Sequence, residues 1–258
     1  MRTSLMLVVA LAAVSLVVPA LADWDPVYDP TGGTIVNHKM HYPQLPDPNG
    51  WDVNATWPKV LADDWMCSQT GPVSDIHFWG SWRHDQQAPI EGIHVSIHED
   101  IPDPDGPTGP AFSQPGNLLW ARDFLPGEFK ERWWGVGDQG WYDPNTQEAV
   151  RPDHFNTYQY NLVDIKNPFY QKRGQIYWLD ISVMLPAGIP PSWGWKTSLQ
   201  HWNDDAVWGD YPSPVQWHEL RDPYLNHSLD LAFVITPEPA SLTLLALGGL
   251  VLLRRRQR

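Results

Sequence analysis

Short runs of alternating apolar and polar residues, each closed by proline, glycine, asparagine or aspartate, confine this chain to β structure. Ile93, Val95 and Ile97 alternate with His94, Ser96 and His98. Tyr177, Leu179, Ile181 and Val183 alternate with Trp178, Asp180 and Ser182, and Leu229, Leu231, Phe233 and Ile235 with Asp230, Ala232 and Val234. A period of two sends successive side chains to opposite faces, so each run offers one apolar face to a core and one mixed face outward. Segments 60–67, 73–82, 118–124, 155–165 and 193–199 are further strands by the same reading. The amphipathic helices that cover a parallel sheet have no counterpart in the pattern. About ten strands separated by turn signals predict an all-β fold, an antiparallel β-sandwich of jelly-roll type.

The two ends carry membrane-related devices. Arg2, an apolar run over 5–18 and the small-residue site Ala20-Leu21-Ala22 form a secretory signal over 1–22. At the other end, residues 240–253 hold no charge and are followed by Arg254, Arg255, Arg256 and Arg258. A helix of that length reaches about 21 Å, short of the roughly 30 Å of a hydrocarbon core, which predicts transient insertion rather than a permanent anchor. The arginines stay cytoplasmic by the positive-inside rule, leaving the body outside. Pro237, Glu238 and Pro239 stand directly before this helix. The order Pro-Glu-Pro, apolar helix and arginine cluster over 236–258 resembles the PEP-CTERM sorting tag of Gram-negative-type bacteria. The resemblance implies an exosortase-type membrane protease as partner and cutting near the Pro-Glu-Pro. It further implies an inner-membrane-tethered precursor, then a cell-surface or matrix location, often in an exopolysaccharide setting.

Charge narrows the partners of the body. Residues 23–237 hold 12 Lys and Arg against 29 Asp and Glu. Nucleic-acid binding needs a basic footprint, so it is excluded, and cations or neutral glycans remain as ligands. Cys67 is the lone cysteine, so no internal disulfide supports the fold. Sixteen tryptophans point either to an aromatic core or to exposed stacking platforms. Residues 23–57 are proline-rich and weakly patterned, an extended arm packing on a sandwich over 58–235, and 98–117 is a long surface loop.

Several motifs carry competing readings. Gly135–Gly140, "GVGDQG", matches a dinucleotide fingerprint literally, but a turn follows instead of a helix; its glycines are expected in turns that need positive φ. "DPDG" at 103–106 does not fit the EF-hand frame. It is either a proline-stiffened turn or a Ca²⁺ site using Asp100, Asp103 or Asp105. "HWNDDAVWGD", 201–210, is the densest polar–aromatic cluster. Trp202 and Trp208 with Asn203, Asp204, Asp205 and Asp210 suit a sugar, rings stacking on a pyranose face and carboxylates and amides taking hydroxyls. The alternative is a loop whose indoles fill the core edge. His94 and His98 share a strand face about 13 Å apart, too far for one zinc. No serine-nucleophile elbow or zinc-protease motif occurs, and Cys67 is expected buried and inert.

"LADDWMC", "DIHFWGSW", "YWLDISV" and "GWKTSLQHWNDDAVW" resemble a family of exported bacterial β-proteins that often carry the same tag, across 60–235. That resemblance transfers no functional residue. Three functions follow in order: a non-enzymatic structural or adhesive surface protein without cofactor, a carbohydrate-binding module using tryptophan platforms, and an extracellular hydrolase.

Overall fold

A computed structural model describes residues 23–103, 112–188 and 192–236. The expected signal segment, the helix over 240–253, Pro237, Glu238, Pro239, the arginine cluster and Asp105 lie outside them. Among the described residues no helix is long and apolar enough to cross a membrane. The described chain is all-β, as the alternation predicts. Its strands are β1 (Trp51–Asn54), β2 (Lys59–Met66), β3 (Gly71–Pro72), β4 (Asp75–Trp82), β5 (Gly92–Ile101), β6 (Gln114–Phe124), β7 (Lys130–Asp143) and β8 (Glu148–Leu162). They continue with β9 (Tyr170–Gln171), β10 (Ile176–Met184), β11 (Trp193–Ser198), β12 (Val207–Asp210), β13 (His218–Glu219), β14 (Asp230–Leu231) and β15 (Phe233–Thr236).

One sheet has the order β13-β12-β2-β10-β5-β6 and is antiparallel throughout. The other has the order β14-β11-β1-β7-β8-β4-β15, and β11 also pairs with β4. The pairings β11–β1–β7–β8–β4–β11 therefore close a ring, in which β1–β7 is the parallel step. The two sheets share one core. Leu61, Trp65, Ile93, Val95, Leu179 and Ile181 come from the first, and Ile76, Phe78, Tyr160, Trp193, Trp195 and Phe233 from the second. Phe78 stacks on Tyr160 at 5.4 Å and meets Trp193 and Trp195 edge-on, and Trp65 reaches Phe233 across the sandwich at 6.3 Å. Eight tryptophans, Trp51, Trp65, Trp79, Trp82, Trp141, Trp178, Trp193 and Trp195, are exposed by 2% or less. Each buries on the order of 200 Å², roughly 5 kcal/mol of gross transfer energy, so the aromatic content supplies the core that disulfides would otherwise reinforce. Cys67 is buried, and desolvation pushes its thiol up to about 12.

The ring is polar inside. Asp52 (β1), Ser81 (β4), Gln139 (β7), His154 and Thr157 (β8) and Lys196 (β11) are all buried. Side chains from all five strands can meet only within the ring. Lys196 Nζ donates to Asp52 Oδ2 at 2.9 Å and Gln139 Oε1 at 2.7 Å; Ser81 and Thr157 hydroxyls donate to the same Gln139 oxygen. His154 Nε2 lies 2.8 Å from Asp52 Oδ2, and its Nδ1 lies 2.9 Å from Asp153. Burial works to raise the Asp52 carboxyl, but Lys196 and His154 outweigh it and hold Asp52 below the usual range. Burial pushes the Lys196 ammonium down against the pull of Asp52.

The N-terminal segment packs across the sandwich, and part of it enters a sheet. Trp24 lies edge-on to Trp79 at 5.8 Å, and its carbonyl accepts from Arg132 and Gln159. Trp51–Asn54, expected within the arm, is instead β1, inserted between β11 and β7. β15 is held on both sides. It pairs with β4 from Phe233↔Phe78 to Thr236↔Asp75, while Lys39 N donates to Ile235 O at 2.7 Å and Gln44 N to Phe233 O at 3.1 Å.

Gly135–Gly140 forms the middle of β7, not a turn, and none of its three glycines has positive φ. They serve close approach instead. A Cβ on Gly137 would stand 1.7 Å from Pro48 O, and one on Gly140 2.5 Å from the Trp51 ring, whereas Gly135 faces open space. Gly137→Ala is therefore expected to cost about 1–3 kcal/mol and Gly135→Ala to leave the unfolding free energy nearly unchanged, compared side by side in urea melts. Lys196→Met leaves Asp52 buried without its ammonium and is expected to cost about 3–5 kcal/mol. The double variant Asp52→Asn/Lys196→Met should recover part of that loss in the same melts.

Candidate functional site

The 201–210 segment comprises the end of the β11–β12 connection and β12 itself, and its connection is pinned by acids from three directions. Asp230 on β14 accepts from Trp202 N at 2.7 Å and lies 3.2 Å from His201 Nδ1. Asn203, at a left-handed φ of 62°, donates from Nδ2 to Asp64 Oδ2 on β2. Asp204 Oδ2 accepts from both the backbone N and the hydroxyl of Ser113, and its Oδ1 accepts from Asp205 N. Asp205 pairs with Arg221 at 2.8 Å, and Arg221 also holds Glu219 at 3.0 Å. Oxygens of Asp204, Asp205 and Glu219 lie within 4.8 Å of one another, but the Arg221 guanidinium already neutralises two of these groups. Asp210 accepts from Asn145 at the end of β12.

The two indoles of this segment part company. Trp202 is half-buried and stacks on His41 at 4.2 Å. Trp208, also half-buried, stacks on His218 of β13 at 4.6 Å. Trp208 lines an open groove of about 420 Å³ with His218, Glu219, Arg221, Asp222 and Asn226. Asp222 is committed below this groove, where it accepts from Trp51 Nε1 at 2.7 Å. Of the six residues read as one sugar site, Trp208 is the member that lines this groove; Asn203 turns toward Asp64 of β2 and Asp204 toward Ser113, just before β6. The loop expected over 98–117 is shorter than that, because residues 98–101 belong to β5 and 114–117 to β6.

Asp100, read as a calcium ligand, is the penultimate residue of β5 and accepts from Trp178 Nε1 at 2.9 Å. Asp103 lies beyond it at the edge of the described loop. Asp100 also belongs with acids the sequence reading passed over. Asp63, Asp64 and Asp230 are all buried. Asp63 accepts from Gln44 Nε2, Leu231 N and Asp64 N. Burial, then Asp230 and Asp64, raise the Asp63 carboxyl well above its ordinary range. Burial raises Asp64 likewise, with Asp230, Asp100 and Asp204 adding to it against the Asn203 hydrogen bond. Among the described residues no Lys or Arg pairs with Asp63, Asp64, Asp100 or Asp230, and His201 is the one cationic partner of Asp230. The ring, by contrast, gives Asp52 both Lys196 and His154. The signal was in the text: two successive acids inside the apolar run "VLADDWMC" cannot both face water on a strand that has a buried face.

The outer face of β5 and β10 places Ser96, His98 and Asp180 together. His98 Nε2 lies 2.8 Å from Ser96 Oγ and 3.0 Å from Asp180 Oδ2, while its Nδ1 lies 3.1 Å from Gly116 O. Serine and aspartate thus share one ring nitrogen, and the other faces a carbonyl. A nucleophile relay requires them on opposite nitrogens. Burial opposes the charged ring, but the Asp180 contact outweighs it and raises His98, matching an imidazolium that donates from both nitrogens. His94 pairs separately with Asp123 at 2.6 Å, so His94 and His98 do not converge on a metal.

A PEP-CTERM protein-sorting motif matches residues 236–257. This motif is the recognition tag for exosortase, a membrane protease, and marks the chain for export and surface sorting. No curated protein matches the chain, and no solved structure matches it. The profile described as "Domain of unknown function (DUF7901)" matches residues 40–236, from Met40 in the N-terminal segment through the last residue of β15, and the chain belongs to that family.

Proposed function

We propose that this exosortase-sorted protein is a non-catalytic structural or adhesive component of the cell surface, its β-sandwich being the displayed cargo. The observation that carries this reading is the junction at Thr236. The last strand ends at the residue where the sorting motif begins, so the whole body is presented without an intervening linker. The aspartates of the 201–210 segment and its surroundings support it further. Asp204, Asp205, Asp210, Asp222 and Asp230 are engaged in hydrogen bonds or ion pairs within the fold, where a glycosidase keeps two carboxyls facing a substrate cleft.

A second reading, carbohydrate binding, is favoured by the Trp208 groove. A flat indole beside Glu219, Arg221 and Asn226 offers a sugar one stacking face and several hydrogen-bonding groups. The polysaccharide of the surface matrix is the ligand that this reading implies.

Three measurements test these readings. Replacing Pro237, Glu238 and Pro239 by alanine is expected to leave the chain in the membrane fraction and to abolish its labelling on intact cells; unchanged surface display would overturn the sorted-cargo reading. The purified chain, incubated with extracellular polysaccharides, is expected to release no reducing ends, and release above a heat-treated control would make it a hydrolase. A saturable tryptophan-fluorescence change with a polysaccharide, lost in Trp208→Ala, would move it to the binding class.

A further inference from the structure

The register between β1 and β11 carries an inference that holds under either reading of the body. Asp52 and Lys196 stand directly opposite each other in that antiparallel pair, so both side chains leave the same face of the sheet and enter the ring together. Lys196 Nζ lies 2.9 Å from Asp52 Oδ2, and Asp52, His154 and Lys196 have no exposure at all. The carboxyl carbon Cγ is one bond beyond Oδ2. The ring therefore fixes an amine beside an acyl carbon, away from bulk water, and such fixed proximity replaces a bimolecular encounter.

The surrounding contacts suit a condensation. Gln139 Oε1 and Gly50 O accept from Nζ at 2.7 and 3.3 Å and fix the nitrogen. Burial pushes the Lys196 ammonium down, toward the neutral amine that is nucleophilic. His154 Nε2 lies 2.8 Å from the same Oδ2, and Asp153 holds its Nδ1 at 2.9 Å. Burial works against a charged ring there, but Asp52 and Asp153 outweigh it and raise His154, which puts a proton donor on the oxygen that would leave. Asp52 Oδ1 is buried without a hydrogen-bond partner among the described residues. An orphaned carboxylate oxygen is costly, whereas an amide oxygen in its place carries less charge and costs less.

We infer that Lys196 and Asp52 condense into an intramolecular isopeptide bond, Nζ to Cγ, with His154 as the proton donor to the departing oxygen. One proton first moves from Nζ to Oδ2 along their hydrogen bond, giving an amine and a carboxylic acid with no change in net charge. The amine lone pair attacks Cγ, and the carbonyl electron pair moves onto Oδ1. His154 Nε2 then protonates Oδ2, the Cγ–Oδ2 bond breaks, one water leaves, and the pair on Oδ1 re-forms the carbonyl. Nζ returns its second proton to His154 and keeps the third as the amide N–H. Nothing is oxidised or reduced. The product removes a buried ammonium and a buried carboxylate together. It joins residues 144 positions apart and so closes the ring covalently between β1 and β11. A chain whose lone cysteine excludes an internal disulfide thereby gains a cross-link that constrains the unfolded state in the same way and resists reduction.

Mass spectrometry of the purified, denatured chain tests this directly. The chain is expected to be lighter than its sequence by the mass of one water. A tryptic digest is expected to contain residues 40–59 joined to 174–221, uncut at Lys196, in place of two free peptides. Lys196→Arg keeps a cation opposite Asp52 but replaces the amine by a permanently charged guanidinium; it is expected to show the full mass and free peptides, as is Asp52→Ala. His154→Gln is expected to slow closure by about 10²-fold, read as the bonded fraction against time in chain synthesised cell-free. Full sequence mass and free peptides from the folded, unsubstituted chain overturn the inference, whether or not the variants fold. So does a water loss that maps to another aspartate or that persists in Lys196→Arg. Closure in His154→Gln as fast as in the unsubstituted chain overturns the part given to His154.

Discussion

β11 is six residues long and hydrogen-bonds to β14, β1 and β4. Its double engagement with β1 and β4 turns an open sheet into a ring and removes two edges that would otherwise expose unpaired backbone groups. The ring leaves room for few side chains, and those that fill it are polar. That is tolerable because each strand contributes a partner: Lys196 from β11 meets Asp52 from β1 and Gln139 from β7, and His154 from β8 completes the charge. The glycines follow from the same closure. Gly194 of β11 has the Asp52 backbone 2.9 Å from where a Cβ would stand, and Gly80 of β4 has the Trp193 ring at 2.1 Å.

Two buried acidic groups in one molecule show two solutions to the same electrostatic problem. Asp52 is neutralised from within by a lysine and a histidine. Asp63, Asp64 and Asp230 are stabilised mainly by neutral donors, the Gln44 and Asn203 amides and backbone N–H groups. Neutral donors satisfy hydrogen-bonding valence but leave net charge behind, and burial converts that charge into raised proton affinity. An acidic chain with so few bases cannot supply a cation to every buried carboxylate, so composition and local chemistry are linked.

The strands with strict alternation were legible because each has one face in the shared core: Ile93, Val95 and Ile97 of β5 and Tyr177, Leu179, Ile181 and Val183 of β10 lie in it as expected, although Ser96, Trp178, Asp180 and Ser182, expected outward, are buried too, and the apolar "DIHFWGSW" is β4, buried on both sides. β7 was not legible. Its glycines and the proline-rich text on either side mimic turn chemistry, and their purpose, approach of Pro48 and Trp51, depends on residues almost ninety positions away. β1 was hidden for a related reason, since four residues of strand carry too little pattern to show that they sit between β11 and β7. The candidate site was legible only in composition. The 201–210 acids and indoles were visible as a cluster, but β12 pairs with β13 and β2 in a register that sends Trp208 to the groove while Asn203 turns to Asp64. A one-dimensional cluster carries no information about which neighbours a sheet will bring to each of its faces.

The double embrace of β15 has a mechanical meaning. A load applied at Thr236 acts along the strand, parallel to its pairing with β4 on one side and to its contacts with residues 39–44 on the other. Pulled in that direction, the hydrogen bonds on both flanks bear force together instead of opening one after another. A pull at Thr236 would thus meet a strand held on both flanks, and the N-terminal segment acts as the second jaw of the clamp, which ties resistance to shear at one end of the described body to the integrity of the other.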